Sequence, residues 1–274
     1  MDYTVNAGVG FPPVTGPEGH AGPVNHVLPA WDIACGLYAA IGILGADRHR
    51  RVTGKGQQLS VALDDVALAT AGNLGFLAEA EVNRVTRPKI GNHLYGSFAR
   101  DFRTRDARRV MVVALTGRHW ADLLKATGMH APVAALEEAL GADFSTEQDR
   151  FTYREALAGL LQRWFADHDL HEIRHALSPA SVLWSVYRTF GDVAASDDVR
   201  ANPMMGIIDQ PGVGRHLAPA SPVRASHADS RPPVRAPMLG EHTAEILRSD
   251  LGLSEPQIKD LHERGVVASA SPKR

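Results

Sequence analysis

The junction at Asp32, where a loop-forming stretch gives way to an apolar one, constrains this fold more than any other feature. Residues 1 to 29 carry Gly8, Gly10, Pro12, Pro13, Gly16, Pro17, Gly19, Gly22 and Pro23. That density of Gly and Pro reads as loop, not regular element. It is long for a loop, and such loops are usually functional or unstructured. Asn25-His26-Val27-Leu28-Pro29-Ala30-Trp31-Asp32 then leads into the apolar run Ile33 to Leu44. An Asp ahead of an apolar helical run is an N-cap, so a helix is predicted from Asp32 to about Asp47. Ala34, Gly36, Ala39, Ala40 and Gly42 allow close packing, and the helix reads as buried core. Capping and chemistry are compatible at such a residue. The positive end of a helix stabilises a carboxylate, and an ionised carboxylate can attack a thioester carbonyl to give a covalent acyl intermediate.

Downstream, Gly54 and Gly56 make a turn ahead of a strand-like segment, 58 to 63, and a second helix is expected from Asp64 to Glu81. Pro88 closes that unit. Arg109 to Leu115 reads as a short buried strand, and His119 to Thr127 as a helix. In Arg154 to Phe165, residues Leu157, Leu160, Leu161, Trp164 and Phe165 fall at helical spacing, as do Leu170, Ile173 and Leu177 after them. Short strands and Pro-rich loops are expected from 203 to 238. Helices follow near Gly240 and at Ser254, where Ser254-Glu255-Pro256-Gln257 has capping-box form. Ala268 to Arg274 reads as a frayed tail.

The 274 residues suffice for one large or two modest domains. A net charge of -2 offers no global basic field for nucleic acid. Cys35, the single cysteine, reads as a small buried hydrophobe in a reducing compartment. Met1-Asp2-Tyr3-Thr4 is no signal peptide, and Ile33 to Leu44 falls short of the ~18 apolar residues of a membrane span. A cytoplasmic location and no membrane partner are expected.

Several motifs are set aside. His171-Glu172-Ile173-Arg174-His175 fits the zinc-protease pattern H-E-x-x-H. Leu170, Ile173 and Leu177 define its buried face, however, so His171 and His175 point outward, and Arg174 between them repels a cation. No metal site is assigned. Gly54-Lys55-Gly56-Gln57 lacks the P-loop frame, and Gly8-Val9-Gly10 runs into Pro12 instead of a helix. Arg48 to Arg51 reads as a solvated helix end. Gly91-Asn92-His93-Leu94-Tyr95-Gly96-Ser97 is, by itself, a polar flexible loop.

The order of these parts is similar to that in the class III CoA-transferases, the CaiB/BaiF family. The Pro-Gly loop, the Asp32 helix, the Gly-Lys-Gly-Gln turn, the 91 to 97 loop and Ala236-Pro237-Met238-Leu239-Gly240-Glu241-His242-Thr243 all come in family order. The resemblance implies an α/β fold corresponding to the C-terminal two-thirds of such an enzyme. An incomplete split Rossmann-like large domain (1–88 and 201–274) would accompany a small mixed α/β domain (89–200). Met1 then reads as an internal position taken for a start. The resemblance further implies that Asp32 is the nucleophile and that the 91 to 97 loop closes over it. By position, Tyr3, Asn92, Tyr95 and Gly96 are the substrate and CoA contacts. No cofactor is held permanently, since coenzyme A arrives as part of the substrate. Full-length members form interlocked homodimers. Asp2-Tyr3-Thr4-Val5-Asn6, Val24 to Asp32, Leu94-Tyr95-Gly96, Arg109 to Leu115 and Asn202-Pro203-Met204 resemble the branch that moves CoA between two carboxyls of one dicarboxylic acid. Intermolecular CoA transfer, acyl-CoA racemisation and a non-catalytic remnant remain the alternatives.

Overall fold

The computed structural model describes residues 1–227 and 231–269, so most of the tail expected from Ala268 lies outside the described residues. Two compact units divide the chain, Met1–Tyr187 and Arg188–Arg274.

The first unit opens on helices where loop was expected. α1 (Asp2–Gly8) precedes most of the Gly and Pro residues, and α2 (Phe11–Val14) takes Pro12 and Pro13 into its first turn. Proline is tolerated there because first-turn amides have no partner within the helix. α3 (Ala30–Thr53) starts before Asp32 and runs past the expected end, to Gly54 in the left-handed conformation at φ 74°. Among the described residues, segment 58 to 63 has no strand partner and forms no strand, and its last residue, Leu63, opens α4. The helix expected over 64 to 81 is two, α4 (Leu63–Asn73) and α5 (Phe76–Asn83), broken at Gly75, whose φ of 80° only glycine adopts freely.

A three-stranded antiparallel sheet follows. β1 (Phe98–Arg103) pairs with β2 (Arg109–Ala114) in the register Phe98↔Ala114. After α6 (Gly117–Thr127), α7 (His130–Leu140), α8 (Glu147–Thr152), α9 (Arg154–Asp167) and α10 (Leu170–Leu177), the strand β3 (Leu183–Val186) pairs with β2. Val110, Val112 and Ala114 alternate inward from β2, the period of a half-buried strand. Against them pack Trp120 and Leu123 of α6, Leu157, Leu161 and Phe165 of α9, and Ile173 and Leu177 of α10. Phe102 stacks on Phe165 at 4.3 Å between ring centres. The α9 and α10 spacings read from the sequence are the ones that build this core.

α3 corrects another expectation. It was read as a core helix, yet only Trp31 is buried. Leu37 is 62% exposed and Leu44 71%, and with Ile33 and Ile41 they form one bare stripe. Cys35 is half-buried rather than buried. α1 and α4 pack against α3, but neither covers this stripe within the described residues. Its 24 residues also make it the one described helix long and apolar enough to cross a bilayer, a length hidden when Ile33 to Leu44 is taken alone.

The second unit holds α11 (Phe190–Ala195), α12 (Asp197–Arg200), the hairpin β4 (Met205–Gln210) with β5 (Gly214–Pro219), α13 (Thr243–Ser249) and α14 (Glu255–Glu263). The Ala236 to Thr243 signature is tied to this hairpin. Gln210 accepts from the Ala236 amide at 2.8 Å and donates to its carbonyl at 3.2 Å. Arg235, together with the Met238 amide, pulls the Glu241 carboxyl down to about 2.

These contrasts set an expected outcome. Leu161→Ala costs about 2–5 kcal/mol in denaturant unfolding, as a core truncation does. Leu37→Ala, in the exposed stripe, stays within about 0.5 kcal/mol.

Candidate active site at the start of the long helix

Asp32 is not the N-cap. That place belongs to Pro29, which has no side-chain acceptor, and Asp32 is the third helical residue. The cap comes instead from α1. One oxygen of Asp2, Oδ2, accepts from the Trp31 amide at 2.7 Å and from the Asp32 amide at 3.2 Å. Asp2 is 4% exposed, so it is a buried carboxylate held by two amides. His26 Nε2 lies 3.0 Å from its other oxygen, at ion-pair distance. One turn along α1, Asn6 accepts from the Trp31 indole at 3.1 Å and donates to Asn25 at 3.0 Å. The Asp32 side chain itself is exposed and makes no hydrogen bond or ion pair among the described residues.

Tyr3 belongs to this neighbourhood. Its hydroxyl donates to the Val27 carbonyl at 3.4 Å, and its ring meets His26 edge-on at 6.1 Å. Asn92, Tyr95 and Gly96 form a second constellation, with partners of their own. Asn92 donates to Asp101 at 3.0 Å, and Arg109 holds the other Asp101 oxygen. Tyr95 donates to Glu79 at 3.0 Å, a bond that raises its pKa. Gly96 is a left-handed turn at φ 80°. Sequence position suggested a role for each; none of these three touches the Asp2–Asp32 network.

Aromatic groups bridge the two places. Trp31 meets Phe11 at 5.1 Å, and Phe11 meets Phe76 at 5.5 Å. The Arg87 guanidinium lies 4.5 Å from Phe76 and 3.7 Å from Tyr95, a cation between two rings. Arg87 also pairs with Glu79, whose carboxyl it holds below the usual range. Beside this line runs an apolar cleft of about 300 Å³, lined by Val9, Phe11, Val14, Phe76, Val85 and Arg87. Lys89 ties the Pro-Gly loop down, donating to Thr15 O at 2.7 Å and to Gly22 O. The Gly91 amide adds a bond to Gly16 O at 3.0 Å.

By sequence His93 is one more residue of a polar loop. It is buried, with Nε2 2.6 Å from Glu155 and in contact with Arg100. Burial and the Arg100 charge depress its pKa. Glu172 of the H-E-x-x-H motif is occupied as a cap, accepting from the Asp169 amide at 2.8 Å, while His171 and His175 are exposed. Among the described residues no three His, Cys, Asp or Glu side chains are grouped to hold a metal.

The chain belongs to CoA-transferase family III, whose sequence model matches residues 1–243. It is 47% identical to the 2-methylfumaryl-CoA isomerase of Chloroflexus aurantiacus over 270 residues, covering 98% of this chain and 66% of that protein. The beta subunit of succinyl-CoA–L-malate CoA-transferase from the same organism is 28% identical over 244 residues, 86% of this chain and 57% of the other. Among solved structures, a CaiB/BaiF family protein from Brucella suis superposes with a TM-score of 0.67 at 25% identity, covering 92% of this chain and 62% of that one. The fold is thus the mixed α/β fold of this family. The chain spans 57–66% of the length of these curated relatives.

The buried His93 generates a pH dependence. Its folded pKa lies below the unfolded value, so between the two the unfolded chain binds more protons. Stability is therefore full above about pH 6.5 and declines as pH falls below it. The depressed carboxylates (Glu79, Asp101) act only at lower pH. Urea midpoints between pH 7.5 and 5.5 will fall for the native chain, and His93→Gln will flatten that slope.

Proposed function

We propose that this chain carries the nucleophile of a CoA transfer between carboxyl groups, and that the transfer is intramolecular, from C1 to C4 of 2-methylfumaryl-CoA. The observation that carries the reading is the Asp32 carboxylate, exposed and unengaged in the first turn of α3. The 47% identity to a protein named 2-methylfumaryl-CoA isomerase supports that choice of substrate. The 28% identity to a CoA-transferase subunit favours, less strongly, transfer between two different acids.

The sequence of steps is as follows. An Asp32 oxygen attacks the thioester carbonyl and the C–S bond breaks, leaving a mixed anhydride and CoA thiolate. The thiolate attacks the Asp32 carbonyl, forming an aspartyl-CoA thioester and releasing the acid's first carboxylate. The second carboxylate of the same acid attacks that thioester and again expels thiolate. The thiolate then attacks the acid carbonyl at C4 and Asp32 leaves as carboxylate, ready for another round. Holding the acid in place between steps makes the second attack effectively intramolecular. The first step needs an Asp32 carboxylate that is free to move onto carbon, which a capping carboxylate is not. Tyr3, beside His26, and Asn92, Tyr95 and Gly96, in the 91 to 97 loop, are the proposed substrate contacts. The same reading takes coenzyme A as part of the substrate rather than a resident cofactor. It also takes the assembly as a homodimer, the compartment as the cytoplasm, and the domains as 1–88 with 201–274 and 89–200.

The test follows formation of the C4 isomer from 2-methylfumaryl-C1-CoA by liquid chromatography. It uses the chain alone and joined to the N-terminal portion the family resemblance implies. Conversion that falls at least about a thousandfold in Asp32→Ala is expected of a covalent nucleophile. Undiminished conversion in Asp32→Ala sinks the assignment. Conversion only when a second free acid is added moves the reaction to the intermolecular class.

A further inference from the structure

Among the described residues, three helices close their own N-termini with capping boxes, and α3 does not. Asp169 with Glu172 caps α10, Thr189 with Asp192 caps α11, and Ser254 with Gln257 caps α14. In each, the third helical residue bends back to the amide of the N-cap residue: Glu172 to Asp169 at 2.8 Å, Asp192 to Thr189 at 2.8 Å, Gln257 to Ser254 at 2.8 Å. That reciprocal bond is what a carboxylate or amide at this position ordinarily does.

Asp32 holds the same third position in α3. Its N-cap residue is Pro29, which has neither a side-chain acceptor nor an N–H. Both halves of a capping box are therefore impossible there. The first-turn amides are still satisfied. Ala30 donates to Leu28 O at 2.8 Å, Ile33 to Pro29 O at 3.1 Å, and Trp31 and Asp32 to Asp2. A carboxylate from thirty residues upstream has taken the cap, and His26 stands at its second oxygen.

We propose that Asp2 and Pro29 together are positioning residues for Asp32: Pro29 denies it a backbone partner, and Asp2 takes over the capping that would otherwise draw it back. This rests on the reading of Asp32 as nucleophile. Asp2 touches no reacting atom in this scheme. Its contribution is to fix the first turn while leaving the third-position carboxylate pointing free.

The distinguishing experiment rebuilds the local cap. Asp2→Ala removes the acceptor of two amides and lowers Tm by roughly 2–4 °C. Adding Pro29→Ser supplies a hydroxyl and an N–H, so Ser at 29 and Asp32 can close a box. The double variant is expected to regain Tm while turnover of 2-methylfumaryl-CoA stays down about tenfold or more, at unchanged KM, because the carboxylate is now engaged. Asp32 labelling by carbodiimide and glycine ethyl ester, read by peptide mass spectrometry, is expected to fall several-fold in the double variant and in Pro29→Ser alone. Asp2→Asn, whose amide oxygen can still accept, keeps both labelling and turnover near the native values. If turnover and labelling return together with Tm in the double variant, Asp2 is only a structural cap and the proposal is overturned. Labelling and Tm need no substrate, so they decide the inference even if the native chain converts no 2-methylfumaryl-CoA. An active Asp32→Ala would instead remove the nucleophile reading itself.

Discussion

The contact on which the site depends is the one between the Asp2 carboxylate and the first amides of α3. A buried carboxylate needs charge-assisted hydrogen bonds to offset lost solvation, and helix N-terminal amides supply them along with a favourable dipole. The exchange satisfies the two amides, which have no partner inside their own helix, and one of the two carboxyl oxygens. Asn6 extends the same face of α1 by one turn and holds the Trp31 indole. Two residues four apart on a seven-residue helix therefore fix where a 24-residue helix begins.

From that fixed start the structure reaches the second constellation through side chains rather than secondary structure. The line Trp31, Phe11, Phe76, Arg87, Tyr95 ends at the 91 to 97 loop, and Ser97 then anchors the loop to the sheet by donating to Ala114 O at 3.1 Å. The loop is held from the sheet side by the largest core in the chain and from the helix side by a cation between rings. The cavity along this line is apolar, so the rings that carry the connection also wall the cleft.

Periodic parts of this fold were legible in the sequence. β2, α6, α9 and α10 show their buried faces directly, because those faces meet within the described residues. In the first 29 residues the overall density of Gly and Pro hides α1, which fits into the seven residues from Asp2 before most of them. Segment 58 to 63 has strand composition, but a strand needs a partner and none is described there. At the site, the sequence pattern marks Asp32 as the N-cap of α3, whereas the first amides of that helix are held by Asp2. A local pattern identifies a local cap; a cap delivered across thirty residues puts no capping side chain next to the helix it serves in the sequence. Pro29 was the available signal, since a proline N-cap with an acid at the third position cannot form a box.

The bare stripe of α3 has a consequence for how this chain behaves in solution. About 17 Å of helix, from Ile33 to Leu44, presents Ile33, Leu37, Ile41 and Leu44 to water. Whatever covers that stripe in the folded state, and not in the unfolded chain, adds its binding free energy to folding by mass action. Where that cover is a separate molecule, the unfolding midpoint depends on how much of it is dissolved alongside. For such a molecule, a melting temperature quoted without a concentration describes the sample as much as the sequence.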